Sequence, residues 1–176
     1  MKIMGKATAR PSRGFTLIEL LVVIGIIAIL LAITGPLAKP WLDKYRAESQ
    51  IRTMHADLLQ ARTLAMQKNK EYFVKINSGN YQIIEDTNEN GAIDASPTDT
   101  YGELKPLTYA VSATGSVAVP LTLTIDTRGI ISAAGLVESA WLRFDTRSTQ
   151  PEFDCLQLYP TRISVGRMDE TSCVPR

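Results

Sequence analysis

The chain has 176 residues, 45% of them hydrophobic, which excludes a disordered polypeptide. Two cysteines are too few for a disulfide-dense mini-protein. The 19 basic and 18 acidic side chains nearly cancel, and four of the bases (Lys2, Lys6, Arg10 and Arg13) precede residue 14 with no acid among them. The remainder is therefore mildly acidic and implies no broad nucleic-acid-binding surface.

Phe15 to Ile33 is an apolar run whose one charge is Glu19, and from Leu20 to Ala38 there is none. At about 1.5 Å per residue the run covers most or all of a ~30 Å hydrocarbon core. A buried helix of a soluble protein would show a polar face, and this run shows none. The bases precede it, so residues 1–14 are expected on the cytoplasmic side and the rest beyond the membrane. An ordinary secretory signal would place small residues for cleavage after the run. Here Ala7-Thr8-Ala9 comes before it, and Thr34-Gly35-Pro36 leads into more helix-like sequence.

The junction Arg13-Gly14-Phe15-Thr16-Leu17-Ile18-Glu19 resembles the prepilin signal of type IV pilins and type II secretion pseudopilins. The resemblance implies cleavage between Gly14 and Phe15 by a prepilin peptidase, with N-methylation of Phe15. It implies a helix kink at Pro36 and an assembly role for Glu19. Gly14 lets a protease approach the backbone closely. A carboxylate in a membrane helix costs about 2.5–3.5 kcal/mol at mid-depth. Glu19 therefore needs a partner, and cleavage creates one in the Phe15 amine, on the same helix or on a neighbouring subunit.

Beyond Pro40, Ile51, Met54, Leu58, Ala61 and Ala65 recur at three and four residues, predicting an amphipathic helix from about Trp41 to Gln67. Joined to the first half, it would make a rod roughly 80 Å long. Lys39, Trp41, Lys44 and Tyr45 cluster as interfacial anchors do. After Lys70 the period becomes two. Tyr72-Val74-Ile76 and Tyr81-Ile83 flank Asn77-Ser78-Gly79-Asn80, a hairpin signal. Further strands are expected at 107–113, 117–125, 130–133, 137–144, 155–159 and 162–165. The expected fold is α+β: a long N-terminal helix, one half transmembrane and one half amphipathic, packed on an antiparallel β-sheet domain. Its parts are a leader at 1–14, a transmembrane helix at 15–38, an amphipathic half at 39–69 and a periplasmic β-rich domain at 70–176. This layout resembles the GspH/FimT branch of minor pilins and pseudopilins.

Asp86, Asn88, Asn90 and Asp94 stand at the first, third, fifth and ninth positions of an EF-hand-like loop, but Pro97 replaces the closing glutamate. A polar turn at Asn90-Gly91 is the favoured reading, with no metal. Cys155 and Cys173 are expected to form a disulfide outside the cytoplasm. His55, the one histidine, has no nucleophile or acid arranged with it in sequence, and no nucleotide-binding motif is present. No enzyme activity and no cofactor are expected. Gly166-Arg167 matches the start of a Gly-Arg-x-Arg DNA-binding motif that the resemblance brings with it. Asp169 and Glu170 replace its basic end and would repel phosphate.

The functional expectation is a minor pilin or pseudopilin that helps to initiate or cap a type II secretion pseudopilus or a type IV pilus. Expected partners are other pilins or pseudopilins through the N-terminal helix, the prepilin peptidase and an inner-membrane assembly platform. The expected location is the bacterial inner membrane, single-pass, with the C-terminal domain periplasmic. The alternative is a pilus-tip module that binds DNA or another ligand through Arg167.

Overall fold

The computed structural model describes residues 14–114, 117–134, 136, 139–146, 149–169 and 172–176, and leaves aside the side chains of residues 33–37. The chain divides into two compact units, 1–39 and 40–176. A single helix element, α1 (Leu17–Lys68), enters both.

In the first unit every described side chain of α1 is exposed, including Leu17, Ile24 and Leu31. The expected leader 1–14, apart from Gly14, lies outside the described residues. So does the side chain of Pro36, and with it the expected kink. Among the described residues no helix is long and apolar enough to cross a membrane.

In the second unit the helix periodicity becomes packing. Ala47, Ile51, Met54, Leu58, Ala61 and Ala65 are all buried, and they recur at three and four residues on one face. From Ile51 onward they meet the inner faces of two antiparallel sheets in one core. The first sheet runs β3-β2-β1-β6-β7, where β1 is Tyr72–Ile76, β2 Asn80–Glu85, β3 Thr100–Tyr101, β6 Leu121–Ile125 and β7 Ile131–Ser132. A short β4 (Lys105–Pro106) pairs with the other end of β2. The second sheet runs β11-β10-β9-β8-β5, where β5 is Val111–Thr114, β8 Ala140–Phe144, β9 Cys155–Leu158, β10 Ile163–Asp169 and β11 Ser172–Pro175.

Alternation sets the register. Tyr72, Val74 and Ile76 of β1 stand opposite Ile125, Leu123 and Leu121 of β6, all buried. The expected hairpin is present: β1 and β2 pair Ile76 with Tyr81, and Asn77 N donates to Asn80 O at 2.8 Å.

Three expected strands need correction. Residues 107–110 are not a strand because the helix claims their backbone. Thr108 N and Tyr109 N donate to Gln50 Oε1 at 2.7 and 3.0 Å, and Gln50 Nε2 donates to Tyr109 O at 2.9 Å. β6 begins at Leu121 rather than 117, since Pro120 has no N–H for a ladder. β10 runs on to Asp169 because β11, unanticipated in sequence, pairs along its last four residues.

Candidate functional site

The N-terminal junction is built on a helix start. Thr16 Oγ1 accepts the Glu19 N–H at 3.2 Å, and Leu20 N donates to Thr16 O at 3.2 Å. Thr16 is thus the N-cap of α1, with Glu19 in its first turn. The Thr-x-x-Glu spacing before an apolar run was the signal for Thr16, which the sequence reading passed over. An acid in the first turn also complements the positive end of the helix dipole. Phe15 is 83% exposed. A Cβ at Gly14 would meet nothing within 4 Å, so no contact among the described residues calls for glycine there.

Far from this junction, the Asp86–Asp94 loop is closed by its own hydrogen bonds. Asp86, fully buried, accepts from Asn90 N at 3.3 Å and Gly91 N at 2.8 Å. Asp94 Oδ2 accepts from Asn88 Nδ2 at 2.8 Å and Asn90 Nδ2 at 2.6 Å. Gly91 has φ +73°, as a turn of this kind requires. Asp99 completes the closure. Buried, it accepts from Thr87 N at 3.2 Å and Asp94 N at 2.7 Å, tying the two ends of the loop. Among the described residues no group of three or more His, Cys, Asp or Glu side chains could hold a metal ion.

Between α1 and β2, buried Asp57 accepts the Tyr81 hydroxyl and, at 2.6 Å, Lys105 Nζ. Burial and then Asp57 push the Tyr81 phenol far above its ordinary value. Beside them is a hollow of about 170 Å³, floored by Leu64, Tyr81 and Ile83. The cluster is spent on structure: both polar partners of Asp57 hold the helix to the sheet edge.

Cys155 and Cys173 form the disulfide, joining β9 to β11. Gly166 of β10 lies under it. A Cβ there would come within 2.5 Å of Val174 O and 2.8 Å of Cys173 Sγ. This glycine is demanded by close packing. Arg167 beside it is exposed and lines a hollow of about 140 Å³ with Arg143 and Asp154. Asp169 pairs across the ladder with Ser172, while Glu170 lies outside the described residues. His55 is half-buried, its Nε2 3.3 Å from Ile163 O.

The N-terminal junction has a counterpart among known sequence families. The sequence model of the prokaryotic N-terminal methylation motif matches residues 9–35. The chain therefore carries a type IV pilin-like prepilin signal, followed by an α+β fold. No curated protein and no solved structure matches the chain.

Proposed function

We propose that the chain is a minor pilin or pseudopilin of the GspH/FimT type, a structural subunit that helps to initiate or cap a type II secretion pseudopilus or a type IV pilus. The observation that carries this reading is the methylation motif at 9–35, set at the start of a helix whose far half packs on a β domain. In this reading prepilin peptidase cuts between Gly14 and Phe15 and methylates Phe15. Cutting there leaves the Thr16 cap in place. The apolar run at 15–38 holds the subunit in the bacterial inner membrane, Pro36 kinks the helix, and residues 70–176 stand in the periplasm. The Phe15 amine of a joining subunit pairs with a neighbour's Glu19, since opposite charges attract more strongly in low dielectric than in water. The other partners are the pilins or pseudopilins beside it and the inner-membrane assembly platform.

Mass spectrometry of the membrane-extracted protein tests it. The expected chain begins at Phe15 and carries one added methyl. A chain still holding residues 1–14 where prepilin peptidase is active would refute the reading. In the same preparation, Glu19→Ala should be cut and methylated normally yet be recovered with its pilin partners in much lower yield.

The second reading, DNA capture at a pilus tip, draws on Arg143 and Arg167 lining one hollow. Asp154 shares that hollow and Asp169 follows two residues on, so phosphate meets acid as well as base.

A further inference from the structure

The hollow between α1 and β2 owes one wall to an irregularity of the sheet edge. Tyr101 of β3 stands opposite Ile84, and Lys105 of β4 opposite Tyr81. Three residues, 102–104, therefore face only two, 82–83. This is a bulge in what would otherwise be one edge strand, and a bulge re-aims side chains. It is pinned to β2: Gly102 N donates to Ile83 O at 2.8 Å, and Gly102 O accepts Gln82 Nε2 at 2.9 Å. A Cβ at Gly102 would come within 2.9 Å of Ile83 O, so the close approach calls for glycine. Glu103 and Lys105 of the bulged edge line the hollow together with Asp57 and Gln60 of the helix.

Asp57 is buried, and both of its contacts, from the Tyr81 hydroxyl and from Lys105 Nζ, fall on Oδ2. Oδ1 has no partner among the described residues. Ala61, Leu64 and Ile83 supply apolar wall. A ligand that displaces water from here must return a hydrogen bond to Oδ1 or lose affinity. The volume, about 170 Å³, is close to the ~150 Å³ that takes one benzene ring. An anion would meet Asp57 and Glu103. A cation at Oδ1 would stand beside Lys105 Nζ, which is 2.6 Å from Oδ2. A neutral donor carried on one six-membered ring meets neither objection. Among protein side chains that is the phenol of tyrosine.

We propose that this hollow receives a tyrosine side chain of a partner polypeptide, its ring against Leu64 and Ile83 and its hydroxyl donating to Asp57 Oδ1. A polypeptide, rather than a free phenol, is favoured by the apolar surface of the bulged edge itself. Leu104, next to Glu103, is 53% exposed, and Tyr101, which precedes the bulge, is 38% exposed. A lone ring would leave both bare, whereas residues flanking a tyrosine would cover them. The site needs neither a membrane nor a cut N-terminus, so it stands apart from the pilin-type reading.

Saturation-transfer NMR on the full chain in detergent tests this with two neutral probes, N-acetyltyrosine amide and N-acetylphenylalanine amide, which differ by the hydroxyl alone. The tyrosine probe should bind about tenfold more tightly, as a hydrogen bond to a charged acceptor implies. Leu64→Trp sets a larger side chain in the hollow without replacing Asp57, Tyr81 or Lys105, and should abolish that binding. Asp57→Asn should shrink the preference for tyrosine over phenylalanine. If Asp57→Asn fails to fold, the probe pair and Leu64→Trp decide the question by themselves. No binding of the tyrosine probe, equal binding of the two probes, or tyrosine binding that survives Leu64→Trp would overturn the proposal. The third probe is p-cresol. Binding of p-cresol about tenfold tighter than that of the tyrosine probe would assign the hollow to a free phenol and overturn the partner tyrosine.

Discussion

Gly166 shows how a motif residue can owe its identity to packing. The strand ladder brings β9 and β11 to either side of β10, and the disulfide between them passes where a side chain would otherwise stand. Gly166→Ala sets a methyl 2.5 Å from a backbone carbonyl oxygen, which cannot move without displacing β11. Overpacking of this kind costs about 1–3 kcal/mol. A thermal melt of the full chain should show a drop of several degrees for Gly166→Ala. Arg167→Ala, on the exposed neighbour, should change stability by no more than about 0.5 kcal/mol. If Gly166 served a ligand instead, its alanine variant would melt like the wild type.

At the scale of elements, the end of α1 is fastened to β2 by a small polar cluster. Glu85 Oε2 accepts Lys68 Nζ at 2.7 Å and the Tyr72 hydroxyl at 2.6 Å. The Lys68 hydrogen bond, then that of Tyr72, hold the Glu85 carboxyl below its ordinary value. Its folded pKa lies under its unfolded one of about 4.3. The stabilisation is therefore fully present above that pH, and is lost as pH falls through the folded value. Melting temperature should decline below about pH 4, and Glu85→Gln should flatten that part of the decline. An unchanged acid slope in Glu85→Gln would show that other carboxylates govern it.

The same scale shows what a sequence can tell. The helix was readable because Ile51, Met54, Leu58, Ala61 and Ala65 repeat its period over four turns, and the structure buries all five. The β1–β2 hairpin was readable from alternation around an Asn-Gly-rich turn. β3 and β4 were not, because two residues carry no period. Residues 107–110 have strand-like side chains, but Gln50, more than fifty positions away, takes their N–H groups. The Asp57–Tyr81–Lys105 cluster was invisible for the same reason: its members come from a helix, a strand and an edge. The Cys155–Cys173 pairing was legible because the chain has no other cysteine.

Across the whole molecule, hydrogen bonds within the chain do work that a bound ion could do elsewhere. The loop from Asp86 to Asp99 is closed by backbone N–H groups on two buried carboxylates. Calorimetry on the full chain in detergent should therefore give no micromolar calcium affinity, and a chelator should leave the melting temperature unchanged. Asp86→Ala should lower stability to the same extent with and without calcium. It removes the acceptor of two backbone donors, and an unpaired buried donor costs about 1–3 kcal/mol. Micromolar binding that Asp86→Ala abolishes would contradict this.

Among the described residues, no atom lies within reach of a methyl added at Gly14. A larger residue at this position should leave the folded protein indifferent. In the pilin-type reading, the constraint on Gly14 comes from the peptidase that cuts after it. In genetic terms, a second mutation restoring function to a Gly14 variant is expected in the gene for the processing enzyme. A compensating change among the described residues would have no contact with the added side chain through which to act.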